Sequence, residues 1–544
     1  MVTRGHRAMV VMSLAAMAFC VATLRAQPIV VFEAYAPADS QWAGDIDIGA
    51  RAVTPTGETA WAGEPFRGVA TGTYAEQWPV VAPDGAGGLL VFGEATARAG
   101  EYAGDWEIIG QRIDAAGNLL WENGESSVVI AATTWSERRP AAIPDGSGGA
   151  FVFYEAWAPA GSEWAGDVDI HGQHVSASGE LLWGEQSVEV ANSGMLEQAP
   201  CVISDGAGGA IVLFELMLRE GEFAGISNIV GQRVSPDGQL LWAGGEESVL
   251  VAVSEWHETD PVAVPDGAGG ALVFFQAAAP EDSEYAGDVD VNGQRVSADG
   301  RLLWADGQGS IRVHGSGAIE AAPVAVADGA GGAVVVCEAA STAPNQPHDW
   351  DVIAQRISGD GELLWGGGAL PVMVCDTQLD ERVPAAVGDG AGGAFVAFEA
   401  IGPEGSDWAG LHDVYVQRMS ANGEAMWGGE AAALAVSAGD YVEQSPCIAP
   451  DGAGGVIVAC EAVAIEGEYA GDGEIVAQRF APDGTAAWND GEHPSIISAT
   501  GWSERFPVMG GGSVGARERE DEPATRTGPA DPGGGGNRAN PVNP

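Results

Sequence analysis

The sequence contains no lysine, and all 23 of its basic residues are arginine. This absence excludes P-loop nucleotide binding, Schiff-base catalysis and serine–lysine hydrolysis, because each of them uses a lysine side chain. We therefore expect no nucleotide cofactor. Basic residues are also few, since 77 aspartates and glutamates give a formal net charge of −54. Nucleic acids are excluded as partners because basic side chains must neutralise their phosphates, whereas cations, basic proteins and neutral ligands fit the charge.

Cysteine is also scarce, with 6 in 544 residues and no repeated spacing. A small secreted fold that depends on disulfides has a regular cysteine framework. We therefore expect buried single thiols here. The alternative is a disulfide between Cys447 and Cys460, which flank one predicted hairpin.

The sequence has one long apolar run, residues 8–24, which follows Arg4, His6 and Arg7. A basic start, a short apolar stretch and a small residue before a polar one predict a signal peptide over residues 1–26, cleaved near Ala26. The alternative is a membrane anchor of roughly 17 residues, the shortest length that spans a bilayer. No later segment is apolar enough for a membrane span. We expect a protein that is secreted, periplasmic or at the cell surface.

Three motifs recur about every 61 residues between residues 27 and 512. Asp-Gly-(Ala/Ser)-Gly-Gly begins at Asp84, Asp145, Asp205, Asp266, Asp328, Asp389 and Asp451. Glu-x-x-Pro begins at Glu76, Glu137, Glu197, Glu258, Glu320, Glu381, Glu443 and Glu504. Gly-x-x-x-Trp ends at Trp61, Trp121, Trp183, Trp242, Trp304, Trp365, Trp427 and Trp488. Residues 513–544 break the pattern, and their Pro/Gly/Arg-rich composition predicts a disordered tail.

Each repeat contains short apolar or alternating segments between glycine-rich turns, which predict about four antiparallel strands and no helix. Four-stranded units that bury their faces against neighbours are typical of a propeller. The two ends complete one unit, because residues 27–33 match a second strand and residues 504–509 match a first strand. We predict an all-β, eight-bladed β-propeller, closed by pairing of its terminal strands and monomeric. The alternative is an open solenoid.

The repeat resembles a loosely defined group of secreted bacterial propellers, which share the Asp-Gly-x-Gly-Gly hairpin, a Gln-Arg strand and the Gly-x-x-x-Trp turn. That group has no settled activity, so the resemblance implies location and fold alone. The segment Val296-Ser-Ala-Asp-Gly-Arg-Leu-Leu-Trp304 is also similar to the repeat of eight-bladed quinoprotein dehydrogenases. This likeness implies that the tryptophans dock neighbouring blades. The adjacent-cysteine pair associated with the pyrroloquinoline quinone pocket is absent, so we do not expect that cofactor.

Most repeats carry an Asp-x-(Asp/Glu) pair just before the third strand. Residues two apart in a strand point the same way, so each pair presents two carboxylates on one face. Ca²⁺ takes six to eight oxygen ligands from carboxylates and carbonyls, and we predict Ca²⁺ sites here. The alternative is a solvated acidic loop. These acidic pairs are Asp45/Asp47, Asp105/Glu107, Asp167/Asp169, Asp288/Asp290, Asp349/Asp351 and Asp472/Glu474.

Two further sets of glutamates recur. The Glu-x-x-Pro glutamates are expected to bind backbone amides of their own turn, the alternative being a ring of carboxylates around a channel mouth. Glutamates at the end of the second strand, such as Glu94, are expected to pair with arginines of the third strand, such as Arg112, because the two strands are antiparallel neighbours.

Irregular loops are where a symmetric ring would hold a unique function. His348 and Trp350 of the sixth repeat and His412 and Asp413 of the seventh lie in equivalent loops. We predict a binding, metal or acid–base site from these residues, the alternative being ordinary exposed loops.

Aromatic residues also recur at the loop tips, among them Trp42, Trp164 and Tyr285. We expect them to pack the loops down, and stacking on a sugar or a protein partner is the alternative.

No nucleophile–base motif is present, so we predict an exported, non-enzymatic propeller that binds a protein or a glycan, with a possible Ca²⁺ dependence. The alternative is a glycan-cleaving hydrolase, since a carboxylate pair in the ring could provide its acid and base. The second alternative is a purely structural surface protein.

Overall fold

The computed structural model describes residues 27–61, 66–72, 74–97, 104–219, 224–314, 319–340, 350–402, 409–410, 412–428, 433–436, 441–464, 471–491, 493–511 and 513–514. The predicted signal peptide and the predicted tail beyond residue 514 lie outside these ranges. Within them the protein is all-β, as predicted. Its helical segments there are short 3₁₀ turns at Trp121–Gly124, Trp242–Gly245, Ala305–Gly307, Gly366–Gly368 and Asn489–Gly491. In this part of the chain, no helix has the length and apolar character to cross a bilayer.

Within the described residues, the antiparallel pairings group the strands into eight sets of four. We call each set a unit and number the units 1 to 8 in the chain order of their second strands. The first strands are β32 (Ser503–Met509), β4 (Tyr74–Pro83), β8 (Ser136–Pro144), β12 (Leu196–Ser204), β16 (His257–Pro265), β20 (Ile319–Ala327), β24 (Asp380–Gly388) and β28 (Tyr441–Pro450). The second strands are β1 (Ile29–Tyr35), β5 (Leu89–Ala97), β9 (Ala150–Trp157), β13 (Ala210–Met217), β17 (Ala271–Ala278), β21 (Ala333–Ala340), β25 (Ala394–Ile401) and β29 (Val456–Ala464).

The third strands are β2 (Ile46–Ala52), β6 (Trp106–Ile113), β10 (Val168–Val175), β14 (Ser227–Val234), β18 (Val289–Val296), β22 (Trp350–Ile357), β26 (His412–Met419) and β30 (Gly473–Phe480). The fourth strands are β3 (Arg67–Ala70), β7 (Val128–Ala131), β11 (Val188–Ala191), β15 (Val249–Ala252), β19 (Ile311–Arg312), β23 (Val372–Met373), β27 (Leu434–Ala435) and β31 (Ser495–Ser498). Successive strands of each unit pair antiparallel, which is the blade arrangement of a β-propeller.

The Asp-Gly-x-Gly-Gly hairpin joins the first strand to the second. In unit 2, Asp84 Oδ1 accepts the backbone N–H groups of Ala86 at 2.7 Å and Gly88 at 2.8 Å. A Cβ at position 88 would lie 2.2 Å from the carbonyl oxygen of Ile113, so only glycine fits there. The aspartate therefore fixes the turn, and the glycine permits its close contact with the third strand.

The expected pairing of second-strand glutamates with third-strand arginines is wrong. Arg112 instead binds the hairpin, with Nη2 at 3.0 Å from Asp84 Oδ2. The register is the reason, because Arg112 lies opposite Leu90 near the hairpin, whereas Glu94 lies opposite Ile108 at the other end of the strand. The same Arg–Asp pair forms in other units, at Arg233–Asp205, Arg295–Asp266, Arg356–Asp328, Arg418–Asp389 and Arg479–Asp451.

The second-strand glutamates bind the neighbouring unit. Glu33 Oε1 of unit 1 accepts the N–H of Trp78 in unit 2 at 2.8 Å, and Glu94 Oε1 of unit 2 accepts the N–H of Arg139 in unit 3 at 2.7 Å. Each donating N–H group lies at a bulge in the first strand, where Trp78 and Arg139 have φ values of 56° and 51°. The glutamate thus holds a left-handed backbone conformation that is unfavourable for side chains of this size.

The tryptophans of Gly-x-x-x-Trp also connect neighbouring units. Trp121 Nε1 donates to the carbonyl oxygen of Ala177 in the next unit at 3.1 Å, and Trp242 Nε1 donates to Ala298 at 3.1 Å. Trp488 of unit 8 donates to Pro55 of unit 1 at 3.0 Å, across 433 residues of sequence. The contact that links successive units is therefore also made between the last and the first.

Strands from near the two ends of the described chain belong to the same unit. β1 pairs antiparallel with β32, with Val31 opposite Val508. Phe32 and Trp488 belong to one buried apolar cluster between units 1 and 8. β33 (Ser513–Val514) then pairs with β28, so the described chain continues in a strand contact beyond the predicted boundary at residue 512.

The described cysteines form no disulfide, as expected. The five are Cys201, Cys337, Cys375, Cys447 and Cys460, and four of them are buried. Cys447 lies opposite Ala459 in the hairpin, so the alternative bond to Cys460 is not formed. Disulfides therefore do not hold the described part of the fold.

Candidate functional site

The acidic pairs lie at the contact between successive units. The third strand of one unit begins beside the start of the next unit's first strand, and the two are parallel there: Ile46 pairs with Ala75, and Val168 pairs with Leu196. This contact places each acidic pair next to the Glu-x-x-Pro glutamate of the following unit. We call these the seam glutamates. The sequence analysis treated the pairs and the glutamates as separate features, and the structure brings them together.

The seam glutamates are buried, with 0–4% of each residue exposed. Where a serine or threonine lies four positions before a seam glutamate, its hydroxyl donates to Oε1 of that glutamate. Thr133 donates to Glu137 at 2.5 Å, and Ser193 donates to Glu197. Ser193 also donates its backbone N–H to Glu197 at 3.2 Å, which agrees with the expected binding of a turn amide. The second carboxylate oxygen of Glu137 and of Glu197 is buried without a hydrogen-bond partner.

Burial and mutual repulsion raise the pKa values of these carboxyl groups. Burial, followed by repulsion from Asp47, raises the pKa of Glu76 to about 8. Burial alone raises the pKa of Asp47 to about 6. In unit 3, burial together with repulsion from Asp167 and Glu197 raises the pKa of Asp169 to about 7. Taking a carboxylate out of water beside another carboxylate favours the protonated form unless a cation is present.

The described clusters differ in how their charge is compensated. In unit 5, Arg312 Nη2 lies 2.5 Å from Asp290 Oδ2. In unit 3, Arg219 Nη1 lies 3.5 Å from Asp167 Oδ1. The clusters therefore occupy the same place between units, and in some of them an arginine side chain supplies the positive charge.

Among the described residues, one group brings three carboxylates close enough to hold a single metal ion. Oxygen atoms of Asp45, Asp47 and Glu76 all lie within 4.8 Å of one another. The other predicted pairs are located as expected at the start of their third strands, at Asp105/Glu107, Asp167/Asp169, Asp288/Asp290, Asp351 and Asp472/Glu474. Asp349 lies outside the described residues.

The predicted site around His348 and His412 is placed only in part. His348 lies outside the described residues. His412 begins β26, and its Nε2 is 2.8 Å from Glu399 Oε2 of the same unit. The neighbouring Asp413 is buried, and this burial raises its pKa. His412 is therefore engaged within its own blade.

Trp350, also part of the predicted site, contacts two residues of the next unit. The guanidinium carbon of Arg382 lies 4.3 Å from the centre of the Trp350 ring. The Trp350 N–H donates to Asp380 Oδ1 at 3.2 Å. Trp350 thus packs against the first strand of the following unit.

A cleft of about 320 Å³ opens at the end of unit 3 where β10 begins. It is lined by Thr133, Thr134, Trp135, Ala156, Trp164, Asp167, Asp169, His171, Glu189 and Asn192. The repulsion from Glu189 contributes to the raised pKa of Asp169, so these two carboxyl groups interact. His171 Nδ1 is 3.0 Å from the Ser187 hydroxyl, and burial lowers its pKa. The cleft therefore combines aromatic walls with interacting carboxyl groups.

The loop-tip aromatics that lie within the described residues are exposed, which contradicts the expectation that they pack the loops down. Trp42, Trp164 and Tyr285 are 51%, 56% and 55% exposed. Their three loops have the same construction: in unit 3, the Trp164 N–H donates to the Ser162 hydroxyl at 3.2 Å and the Asp167 N–H donates to the Trp164 carbonyl at 2.8 Å. The turn thus holds the aromatic ring outward beside the acidic pair. Sequence motifs identified both components but not the exposure of the rings.

No protein-family model matches the sequence, and the search of curated proteins found no match. Solved structures with some similarity include an ulvan lyase, at 11% identity and a TM-score of 0.38, covering 68% of this chain and 93% of that one. A Penicillium chrysogenum α-L-arabinanase has 10% identity and a TM-score of 0.35, with 60% and 88% covered. A Bacillus halodurans xylan β-1,4-xylosidase has 8% identity and a TM-score of 0.29, with 90% and 98% covered. TM-scores this low carry no argument, so the fold and the site rest on the contacts described above.

Proposed function

We propose that the eight units form a closed eight-bladed propeller and that the protein is exported. Support for closure comes from the pairing of β1 with β32 and from the hydrogen bond of Trp488 to Pro55. The signal-peptide pattern of residues 1–26 supports a secreted, periplasmic or cell-surface location. A closed ring has no free lateral strand edge, so it is a rigid support for loops that bind ligands.

We further propose that the protein binds a glycan in the cleft of unit 3. A sugar ring presents an apolar C–H face and a rim of hydroxyl groups, so an aromatic ring beside carboxyl oxygens matches both. The single observation that carries this proposal is the position of Trp164, which is 56% exposed at a cleft that also contains Asp169 and Glu189. Trp135 supplies a second aromatic wall.

The charge and the size of the cleft favour a glycan over other partners. A net charge of −54 disfavours acidic ligands but does not oppose a neutral sugar. A basic protein would also fit the charge. A concave cleft of about 320 Å³ has the size of a small-ligand site, which favours a short sugar segment.

A glycan array probed with the full chain tests this proposal. We expect binding to at least one class of neutral polysaccharide, and we expect Trp164→Ala to weaken it at least tenfold. Trp42→Ala is the matched control, because Trp42 occupies the same loop position in unit 1 with a similar exposure of 51%. Absence of glycan binding, or equal loss in both variants, would contradict the assignment.

Hydrolysis of the bound glycan is a second candidate function. Glycosidases need a carboxyl group that stays protonated near neutral pH and a second carboxylate nearby. Asp169, with its pKa of about 7, fits the first role, and Glu189 in the same cleft fits the second. A reducing-sugar assay on array-positive polysaccharides would detect turnover. Asp169→Asn should then abolish turnover while binding remains, and turnover that persists in this variant would contradict the role of Asp169.

A further inference from the structure

We propose that Asp45, Asp47 and Glu76 form a divalent-cation site, best suited to Ca²⁺, that joins unit 1 to unit 2. Oxygen atoms of the three carboxyl groups lie within 4.8 Å of one another, so one ion can contact all three. Asp45 and Asp47 belong to unit 1, whereas Glu76 comes from the first strand of unit 2. This inference is independent of glycan binding in unit 3.

A buried oxygen without a partner points to the missing ligand. Glu76 is 4% exposed, and its Oε2 atom is buried without a hydrogen-bond partner. Oδ1 of Asp47 is also buried without a hydrogen-bond partner. Native proteins rarely bury such atoms unpaired, and a bound ion is one of the established explanations.

The corresponding carboxylate of unit 5 lies beside an arginine, which supports a positive charge between units 1 and 2. Asp290 is the counterpart of Asp47, and Arg312 of the fourth strand neutralises it at 2.5 Å. In the strand register of unit 5, Arg312 lies opposite Asn292. At the corresponding position of unit 1, Gly68 lies opposite Gly49. Gly68 has no side chain, so unit 1 has the carboxylates but lacks the arginine that unit 5 uses.

The chemistry of the ligands favours Ca²⁺. All three side chains offer hard carboxylate oxygens, and Ca²⁺ accepts a flexible set of such ligands completed by carbonyls and water. Mg²⁺ requires a more regular octahedron and retains its water more strongly. Burial and repulsion raise the pKa of Glu76 to about 8, so ion binding near neutral pH also displaces a proton.

Calorimetric titration of the EDTA-dialysed full chain with CaCl₂ tests the site. We expect Glu76→Gln to weaken the tightest Ca²⁺-binding event at least tenfold. Glu258→Gln is the matched control, because Glu258 is equally buried at 3% exposed, but unit 4 has Ile226 and Asn228 in place of the acidic pair. This control variant should bind Ca²⁺ as the wild type does.

Thermal unfolding separates loss of the ion from loss of the fold. In EDTA, Glu76→Gln should unfold at the wild-type temperature or above it, because the neutral amide carries no charge that could be buried beside Asp47. In millimolar CaCl₂ the wild type should gain stability, and the variant should gain less. Failure of the wild type to bind Ca²⁺, unchanged affinity in Glu76→Gln, equal loss in Glu258→Gln, or tighter binding of Mg²⁺ would overturn the proposal.

Discussion

Replacement of Trp488 by phenylalanine tests whether the ring is closed between units 8 and 1. The change keeps an aromatic ring in the apolar cluster but removes the Nε1–H group that donates to Pro55 at 3.0 Å. Loss of one such bond costs about 1 kcal/mol, because Pro55 is exposed and water can replace the lost donor. Trp488 itself is 1% exposed.

Trp242→Phe is the internal reference for this experiment. Trp242 has the same exposure of 1% and donates to Ala298 at 3.1 Å, but its bond joins units that are consecutive in sequence. Urea unfolding monitored by fluorescence and circular dichroism gives the midpoints, and equal slopes permit their comparison. Closure predicts similar losses of stability in the two variants. A loss in Trp242→Phe with none in Trp488→Phe would refute it.

Three further predictions concern the units and their seams. Seam glutamates with pKa values of about 7 to 8 in the folded protein keep protons that an unfolded chain releases near the ordinary glutamate pKa of 4.5. In EDTA the urea midpoint should therefore fall as pH rises from about 5 to 8, and a rising midpoint would contradict this. Arg233→Met should lower the free energy of unfolding by about 2 kcal/mol, because it leaves the buried Asp205 without its ion pair, and urea titration would show no change if that pair were unimportant. Gly423→Ala should also cost about 2 kcal/mol in the same assay, because φ is +82° and the new Cβ would lie 2.8 Å from Trp365; a neutral result would contradict the turn geometry.

Much of the fold is predictable from the repeats because each strand and turn has a local cause. The hairpin aspartate and its glycines occupy fixed positions, and Gly88 is required by the approach of Ile113. The pairing of Glu94 with Arg112 was predicted incorrectly because strand neighbours alone do not determine register. Arg112 lies four positions nearer the hairpin, where Asp84 is its partner.

The candidate sites were less predictable because their residues come from different units. The sequence predicts Asp47 as a metal ligand, but the third carboxylate of the cluster, Glu76, belongs to the next repeat and approaches Asp47 only through the parallel contact of β2 with β4. The exposure of Trp164 depends on how its loop turns, which the Ser162 hydroxyl helps to fix. A signal exists in the sequence, because each acidic pair precedes the next Glu-x-x-Pro glutamate by a similar number of residues, but this spacing does not specify that the two meet.

A crystal structure of the protein with a neutral oligosaccharide selected on the array would test the proposed function most directly. We predict a sugar ring stacked on Trp164 in the unit 3 cleft, with hydroxyl groups within hydrogen-bonding distance of Asp169 or Glu189, roughly 2.5–3.2 Å. A sugar bound at another place in the ring, with Trp164 free, would contradict the proposal.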